Sequence, residues 1–524
     1  MIYSKSETTV TILFTSDIHG HVLTSTNGES CFGLSKVATL LKSIQLKAEN
    51  VLTIDNGDLI QGTPLTYYFA KRLKNKPNPM VLLLNELQYD AAIIGNHEFN
   101  YGKAIINQAI SQSNFPWLSA NIVHHRTKET YFGTPYIVKE FPSGIKVAVL
   151  GVTTKLIPQW ERTEHIESLA FEDAVESTKR WVQYIHEIEQ PDLMVVAYHG
   201  GFERDIHTGE RLERDTGENQ AYAMCQSVDG IDVLLTGHQH RELVGEVNGV
   251  TVIQAGSNGR LLGEVSVTFN KIHHEWHIHQ KSANIYSVKH VKEDQQCLQL
   301  IKYYQEETNR WLNESIGKVI GDMRISNPFD VRLKEHPYIE FINKVQMEAT
   351  GVNISCTALF TEKGKGLPAN VKVNDIISNY IYPNTLVVLR VTGKDIKEAL
   401  EKSASYFVLN EDGSIEVSRH FSYPKPQHYY YDMWEGIEYV INISRPIGER
   451  IESLTINGAP LQMDKEYDVV MNNYRASGGG NYHMFEGKER IKEVQLDVTE
   501  LLIEYFMEHK EVEATVNNNW KVVW

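Results

Sequence analysis

The sequence predicts an α/β fold in which short apolar strands alternate with polar turns and helices. Residues 10–16, 51–55 and 91–94 are apolar runs of strand length. Residues 33–47, between the first two runs, place apolar side chains at helical spacing. Each apolar run leads into a polar turn that contains Gly. Such turns at strand ends are where open α/β sheets usually bind ligands.

The same alternation continues to about residue 285, where the pattern changes. We predict further strands at 147–152, 193–198 and 231–236, a helix at 171–189, and antiparallel strands at 250–254 and 263–269. Residues 291–316 are charged, with apolar side chains at helical spacing, and predict a connecting helix. Later helices are expected at 336–350, 393–405 and 498–509, and later strands at 386–391, 436–443, 451–456 and 467–471.

A chain of 524 residues is long enough for two or more domains. The change of pattern near residue 285 marks the boundary between them. We predict an N-terminal domain over residues 1–288, a connecting helix or linker over 289–322, and a smaller α/β domain over 323–524.

The composition excludes several classes of protein. A formal net charge of -16 without a long Lys/Arg run argues against binding to nucleic acid polymers, but not against a small nucleotide. The four cysteines, Cys31, Cys225, Cys297 and Cys356, are far apart and indicate neither a zinc ribbon nor a disulfide framework. The first residues lack the pattern of a signal peptide, and no segment has the length and apolarity of a membrane span. We therefore expect a cytoplasmic monomer without a membrane partner.

Five predicted strand ends carry side chains of the kinds that bind divalent metal ions. The residues are Asp17 and His19, Asp58, Asn96, His199, and His238 and His240. Carboxylate, amide oxygen and imidazole together suit Zn, Mn, Fe or Co. A single pair of this kind is weak evidence, because such pairs also arise by chance, and a single His at a strand end is more often structural than a ligand. Five of these turns, each directly after an apolar strand and beside Gly, favour a metal centre.

These ligands are enough for two ions if one carboxylate bridges them. Asp58 is the natural bridge, because it is a lone carboxylate after the second strand. The expected division is Asp17, His19, Asp58 and His240 on one ion, and Asp58, Asn96, His199 and His238 on the other. Two such ions can hold a bridging hydroxide that attacks phosphorus and can neutralise the charge of the transition state.

His97 is the candidate proton donor to the leaving oxygen. It follows the predicted ligand Asn96 at an exposed turn, yet it is not itself in the ligand set. The alternative is a residue that only packs beside Asn96. Its position favours the catalytic role.

The five turns resemble the sequence blocks of the calcineurin-like metallophosphoesterases. The blocks are Asp17-Ile18-His19, Gly57-Asp58, Gly95-Asn96-His97-Glu98, His199-Gly200 and Gly237-His238-Gln239-His240. The resemblance covers residues 10–260 in order and spacing. It implies a β-sandwich flanked by helices, in four layers, that holds two divalent metal ions.

The second half resembles the C-terminal domain of the 5'-nucleotidase family, at residues 382–388, 431–436 and 472–480. Within that family, Asn100-Tyr101-Gly102, Tyr-Pro-Asn-Thr at 382–385 and Asn-Asn-Tyr-Arg-Ala at 472–476 are most similar to the 2',3'-cyclic-nucleotide 2'-phosphodiesterase/3'-nucleotidases. The resemblance implies a hydrolase of small nucleotides, with the C-terminal domain binding the substrate.

The resemblance also assigns catalytic roles. It makes His97 a transition-state stabiliser and general acid. Relatives that act on 5'-nucleotides often have Asp three residues after this His, and here the position is Asn100. Asn100 can accept a hydrogen bond from the imidazole but carries no charge. His97 and Asn100 are therefore the predicted catalytic residues.

The substrate-binding residues are predicted from the same resemblance. Tyr431 and Tyr482 occupy the positions of the family's base-stacking pair, and the run His428–Tyr431 offers neighbouring rings as alternatives. Asn384, Asn473 and Arg475 are the predicted polar contacts. Arg475 has a structural salt bridge as its alternative role. The phosphate-binding or sugar-binding basic residues of the family have no clear match near residues 360–366, where Lys363 and Lys365 are the candidates.

Three functions stay open at this point. The first is hydrolysis of 2',3'-cyclic nucleotides and 3'-nucleotides. The second is the same scaffold used as a 5'-nucleotidase or nucleotide-sugar (UDP-sugar) hydrolase, and the third is a non-catalytic nucleotide-binding protein. Relatives are often exported or held at the cell surface, which is the alternative to a cytoplasmic location.

Overall fold

The chain is described from a computed structural model that covers residues 7–23, 32–212, 216–382, 384–423, 426–494 and 496–524. Cys31 and Pro383 lie outside these described residues. The chain divides into two compact units, residues 1–308 and 309–524. The α/β fold predicted from the sequence is confirmed, while the exact domain and linker bounds stay a prediction.

The first unit is built on two six-stranded sheets in the part of the chain that is described. One sheet has the order Glu275–Ser287, Leu261–Ile272, Glu7–Thr15, Asn50–Asp55, Ala91–Ile93, Trp117–Leu118. The other has the order Glu242–Val247, Val250–Ala255, Val233–Thr236, Leu193–His199, Lys146–Thr153, Tyr136–Glu140. The last four strands of the first sheet run parallel, and so do the middle four of the second.

Apolar side chains from both sheets meet in one core. Val10, Ile12 and Phe14 of the first sheet cluster with Val149 and Val195 of the second, all fully buried. Since side chains alternate along a strand, each sheet also has a second apolar face. Helices pack on that face of each sheet. The helices are Leu34–Gln45, Pro64–Tyr68, Pro79–Glu86, Lys103–Gln112, Ile157–Trp160, Thr163–Ile166, Ala174–Ile188, Ala221–Ser227 and Gln295–Leu312, with a π-helical turn at Phe69–Leu73 and a 3-10 turn at His97–Tyr101. The result is the expected four-layer sandwich.

The strands predicted at 250–254 and 263–269 are present, and each has an antiparallel neighbour. Val250–Ala255 lies in the second sheet, antiparallel to Glu242–Val247 and parallel to Val233–Thr236. Leu261–Ile272 lies in the first sheet, antiparallel to Glu7–Thr15 and Glu275–Ser287. Hydrophobic alternation predicts a strand but carries no information about its partner.

The second unit is a separate α/β body. Its main sheet has the order Asp432–Glu435, Ser355–Ala358, Glu466–Asn472, Leu386–Thr392, Glu489–Val494. Smaller sheets join Asn370–Lys372, Ser315–Ile320 and Glu511–Glu513; Met323–Arg324 and Gly366–Leu367; Phe407–Leu409 and Ile415–Val417; and Ala459–Pro460, Ile451–Ile456, Glu438–Asn442 and Trp520–Val523. Its helices are Pro328–Leu333, Pro337–Thr350, Val373–Asn379, Gly393–Ala404, Arg419–Ser422, Asn473–Ala476 and Val498–His509. One apolar cluster between residues 316 and 522 forms its core.

Over the described residues, no helix combines the length and the apolar character that a membrane crossing requires.

Candidate metal centre and active site

The seven predicted ligands come together at one edge of the first unit. Each lies at or just after the carboxyl end of a parallel strand, and these ends meet because the strands are neighbours in their sheets. Two groups of potential ligand atoms result. Asp17, His19 and His240 form one, and Asp58, His199 and His238 form the other.

In the first group, two imidazoles and a carboxylate face one another. Nε2 of His19 lies 3.0 Å from Nε2 of His240. An oxygen of Asp17 lies 3.4 Å from Nε2 of His240 and 3.9 Å from Nε2 of His19. These three residues are those assigned to one ion with Asp58.

The second group is joined by Asn96. Its Oδ1 lies 3.1 Å from Nε2 of His199 and 2.9 Å from Nδ1 of His238. Oδ2 of Asp58 lies 3.1 Å from Nε2 of His199 and 3.8 Å from Nε2 of His19. Asp58 therefore reaches toward both groups, as a bridging carboxylate must.

Backbone hydrogen bonds fix which nitrogen of two histidines faces the site. Nδ1 of His199 lies 2.7 Å from the carbonyl oxygen of Asn56, and Nδ1 of His19 lies 3.2 Å from that of Gln61. A carbonyl oxygen only accepts, so Nδ1 carries a proton and Nε2 is the nitrogen that faces the site. This outer hydrogen bonding is typical of metal-binding histidines. The carboxylate of Glu218, 2.9 Å from Nε2 of His238, orients that ring in the same way.

The backbone at the predicted ligands has an uncommon conformation. Asp17, His19, Asp58, His238 and His240 all have positive φ, between 50° and 66°. This region is disfavoured for residues with a side chain, and such strain is found mostly at functional sites.

Burial and the pairing of carboxylates with imidazoles shift the pKa values of the site residues. Burial alone would lower the pKa of His199, but the charge of Asp58 and a hydrogen bond to it raise that pKa to about 10. Burial would raise the pKa of Asp58, yet the charges of His199 and His97 hold it well below its usual value. His19 behaves differently, because burial lowers its pKa to about 3 and leaves its imidazole neutral. The neutral imidazole of His19 and the ionised carboxylate of Asp58 are the forms that bind a metal ion, whereas His199 would release a proton on binding one.

The donor set fits a pair of divalent ions. Nε2 of His199 faces two oxygens, Oδ1 of Asn96 and Oδ2 of Asp58, in a fully buried position. Such an arrangement is stable only when a proton or a cation lies between the atoms. Mixed nitrogen and oxygen ligands suit Zn, Mn, Fe or Co.

Glu98 holds two of the ligand loops together. Its side chain is fully buried, and its carboxylate accepts four backbone N–H groups, from Asp58, Leu59, Ile60 and Gly95, at 2.7–3.3 Å. It thereby ties the loop of Asp58 to the turn before Asn96. Sequence reasoning included Glu98 in a motif but gave it no role. A charged residue inside an apolar-flanked turn was the available signal.

His97 lies at the edge of this centre. Its backbone N–H donates to Oδ1 of Asp58, and its ring lies 5.1 Å from that of His19, centroid to centroid. Nδ1 of His97 is 2.7 Å from Oδ1 of Asn100. The two predicted catalytic residues are therefore in direct contact.

The structure does not support the prediction that Tyr431 and Tyr482 stack on a base. Tyr431 and Tyr482 are both fully buried, so neither ring has a free face for a base. Tyr431 packs against Tyr406 and Phe407, and the hydroxyl of Tyr482 donates to the carbonyl of Tyr430. The sequence alone does not show which ring of an aromatic run faces the core.

Arg475 is likewise part of the interior. It is 1% exposed, and its guanidinium makes a two-point ion pair with Asp432 at 2.6 and 3.0 Å. It also donates to the carbonyls of Tyr429 and Gly479. The structure therefore gives Arg475 its alternative role, the structural salt bridge.

The two predicted asparagines take part in backbone contacts. Oδ1 of Asn473 accepts the N–H of Thr385, and the carbonyl of Asn384 accepts that of Val498. Both side chains are half-buried. Asn473 directly precedes Tyr474, and Asn384 follows Tyr382, whose ring lies 5.9 Å from that of Tyr429, centroid to centroid. Tyr429, Tyr430 and Tyr474 are half-buried rather than buried. The rings of Tyr430 and Tyr474 are near parallel, with centroids 6.4 Å apart.

Comparison with known proteins agrees with this geometry. The family model described as calcineurin-like phosphoesterase matches residues 10–242, and that of the 5'-nucleotidase C-terminal domain matches residues 315–487. A crystal structure of a Staphylococcus aureus protein assigned as a 5'-nucleotidase is 32% identical, covers 98% of this chain and 99% of its own, and superposes with a TM-score of 0.87. The chain belongs to the 5'-nucleotidase family of calcineurin-like phosphoesterases. It is a phosphoester hydrolase.

Two curated relatives indicate the range of activities. The 2',3'-cyclic-nucleotide 2'-phosphodiesterase/3'-nucleotidase of Salmonella typhimurium is 28% identical over 89% of this chain and 81% of its own length. The trifunctional nucleotide phosphoesterase protein YfkN of Bacillus subtilis is 26% identical over 98% of this chain. The match spans only 39% of the length of that relative.

Proposed function

We propose that the chain hydrolyses 2',3'-cyclic nucleotides and 3'-nucleotides at a centre of two divalent metal ions. The observation that carries the proposal is the convergence of Asp58, Asn96 and the paired histidines beside His97. The similarity to the Salmonella typhimurium enzyme supports the choice of substrate. Asn100 beside His97, the sequence feature shared with such enzymes, supports it as well.

The metal ions would be held by the seven ligands, with Asp58 shared. When bound, they would supply a nucleophile from water and neutralise charge on the phosphate. His97 would contribute the proton that the leaving oxygen needs. Its Nδ1 is engaged by Asn100, so Nε2 is the nitrogen available to the substrate.

The nucleoside would bind to the second unit. Since Tyr431 and Tyr482 are buried, we place the base against the half-buried rings of Tyr429 and Tyr474. Ring stacking tolerates different bases, which suits a catabolic nucleotidase. Asn384 and Asn473 remain the proposed polar contacts.

A 5'-nucleotidase or nucleotide-sugar hydrolase is the second candidate. It is favoured by the Staphylococcus aureus structure, which shares more of its sequence with this chain than the curated relatives do. The metal ligands do not distinguish the two, because the difference lies in how the sugar and phosphate are presented.

A substrate panel with defined metals decides between them. The full chain is loaded with Zn or Mn and assayed for phosphate release from 3'-AMP and 5'-AMP directly. For 2',3'-cyclic AMP and UDP-glucose a phosphatase is added, because their hydrolysis gives phosphomonoesters rather than free phosphate. We expect the highest kcat/KM for the first two. Preference for 5'-AMP or UDP-glucose would reject our proposal in favour of the second candidate.

The role of His97 is tested with His97→Ala. We expect a fall in kcat of about 100-fold or more, the usual contribution of a general acid, with metal content unchanged by elemental analysis. Turnover close to that of the unsubstituted chain would remove His97 from the mechanism.

The predicted monomeric state and cytoplasmic location are separate proposals. Light scattering of the purified chain and fractionation of the cells that make it test them directly.

A further inference from the structure

A line of hydrogen bonds leads away from His97 to a buried carboxylate. Oδ1 of Asn100 meets Nδ1 of His97 at 2.7 Å, and Nδ2 of Asn100 donates to Oε2 of Glu161 at 2.8 Å. The other oxygen of Glu161 accepts the N–H of Arg162 at 2.8 Å and lies 2.9 Å from Nδ1 of His165. Only 5% of the Glu161 side chain is exposed.

The chemistry of these groups determines which of them donates and which accepts each hydrogen bond. An ionised carboxylate can only accept, so the NH₂ of Asn100 must face Glu161 and its carbonyl oxygen must face His97. A carbonyl oxygen also only accepts, so Nδ1 of His97 must carry a proton. Neutral His97 is thereby fixed in the Nδ1–H tautomer.

Without the carboxylate, this order is lost. An Asn side chain has a donor end and an acceptor end of almost the same shape, and it can turn over at little cost. Once turned, its NH₂ would face His97 and favour the opposite tautomer. Asn100 alone therefore cannot determine the orientation of His97.

The segment that carries Glu161 is well placed for this task. Glu161 directly follows the short helix Ile157–Trp160, and the next helix, Thr163–Ile166, contributes His165. The ring of Trp160 stacks on that of the predicted ligand His238, with centroids 5.5 Å apart and planes 20° apart. The same short segment thus contacts both the metal centre and the partner of His97.

We propose that Glu161 is a positioning residue for catalysis: it orients the Asn100 amide, which in turn orients His97. The inference rests on the proposed hydrolysis of nucleotides, in which a proton carried on Nε2 of His97 passes to the leaving oxygen while Nδ1 keeps its own proton, so that the ring ends as the neutral Nδ1–H form. Neither the sequence motifs nor the family resemblance pointed to Glu161. It is 61 residues from Asn100 in the chain, and only the fold brings the two together.

The test compares Glu161→Gln with the unsubstituted full chain loaded with Zn. Gln has nearly the same shape but offers both a donor and an acceptor, so it no longer dictates the orientation of Asn100. We expect kcat for 3'-AMP to fall at least about tenfold with KM within about twofold, as expected when proton transfer is impaired. Bis(p-nitrophenyl) phosphate, whose leaving group needs no proton, should be hydrolysed almost normally.

A double variant provides the rescue. Asn100→Asp combined with Glu161→Gln places a symmetric acceptor beside His97 and a donor behind it, so kcat for 3'-AMP should recover. Asn100→Asp alone puts two carboxylates in contact and should be less active than the double variant. Glu167→Gln, an exposed change in the same segment, is the matched control.

A second readout does not depend on activity. In protein labelled with ¹⁵N-histidine, the His97 signals are assigned by their loss in His97→Gln, and their shifts report the tautomer. We expect the Nδ1–H form in the unsubstituted chain and a changed tautomer population in Glu161→Gln. The tautomer measurement tests the role of Glu161 even if the chain hydrolyses none of the nucleotides. Such a lack of activity would reject the proposed function but not the role of Glu161.

The outcomes separate clearly. Equal losses on 3'-AMP and the nitrophenyl ester, or a double variant no better than Glu161→Gln, would reduce Glu161 to a structural residue. An unchanged His97 tautomer in Glu161→Gln would overturn the proposal. If Glu161→Gln fails to fold, the double variant and Asn100→Asp still provide the comparison, and equal activity and tautomer in those two would overturn it.

Discussion

Several predicted ligand residues of this chain adopt a backbone conformation that most residues avoid. Asp17, Asp58 and His240 have φ near +55°, where a side chain costs on the order of 1 kcal/mol each. Such a conformation persists only if the surroundings hold it. The carboxylate of Glu98 does so for the loop of Asp58, because it accepts the N–H groups of Asp58, Leu59 and Ile60.

Glu98→Gln tests this support. One carboxylate oxygen is replaced by an NH₂, which cannot accept, so at least one buried N–H loses its partner, at a cost of about 1–3 kcal/mol in the free energy of unfolding. We also expect affinity for Zn or Mn to fall about 10–100-fold, as for other residues that orient metal ligands. Urea unfolding and metal titration measure the two effects. The exposed Glu129→Gln is the control, and unchanged metal affinity in Glu98→Gln would contradict the assignment.

A second buried carboxylate predicts a pH dependence. Burial, together with the charges of Glu335 and Glu340, raises the pKa of Glu435 to about 7. Its pKa in the unfolded chain is near 4.5. The folded state therefore holds the proton more tightly, and this contribution to stability is present below pH 4.5 and lost as the pH rises through 7.

Glu435→Gln should remove this loss. Between pH 5 and pH 8 we expect the unfolding free energy of the unsubstituted chain to fall by more than that of the variant, by on the order of 2 kcal/mol. Chemical unfolding at the two pH values measures it. Glu416→Gln on the surface should behave like the unsubstituted chain, and parallel pH profiles for the chain and Glu435→Gln would refute the prediction.

At the scale of helices and strands, the sequence reveals where a site lies better than how it is supported. Strand ends followed by Gly and a ligand residue stand out in the sequence, so the positions of Asp58 and Asn96 could be predicted. Glu161 and Glu218 could not, because their partners are distant in the chain and only the packing of the loops brings them close. Tyr431 could not be placed either, since the run of tyrosines before strand Asp432–Glu435 gives no register.

The helix Asn473–Ala476 shows the same limit and supports a third prediction. Its Arg475 pairs with Asp432 in the interior, so Arg475→Met leaves a buried carboxylate without its partner. We expect a loss of about 3–5 kcal/mol in stability. At a temperature where the variant is folded, KM for 3'-AMP should change little. Arg490→Met, at an exposed ion pair, is the control.

The opposite pattern would restore Arg475 as a substrate contact. A large rise in KM with an unchanged unfolding midpoint is the result to look for, because a residue that binds phosphate contributes to substrate affinity rather than to the core.

At the scale of the whole molecule, metal binding and nucleoside binding are assigned to different units. The seven predicted ligands all lie within residues 1–308, and the candidate base-binding residues all lie within 309–524. Each unit has its own apolar core. Stabilisation by a bound metal ion should therefore act first on the unit that contains the ligands.

Calorimetry of the full chain tests this division. Removing metal with a chelator should lower the unfolding temperature of one transition, and at metal concentrations near 1,000 times Kd the lost stabilisation is about 4 kcal/mol. Glu98→Gln should lower that same transition, whereas Arg475→Met should lower the other. The two substitutions thus assign each transition to its unit without separating the units. If the metal centre lies at the strand ends of the first unit, a chelator must lower the unfolding temperature of the transition that is sensitive to Glu98→Gln. A chelator that lowers only the unfolding temperature of the transition sensitive to Arg475→Met would contradict this location.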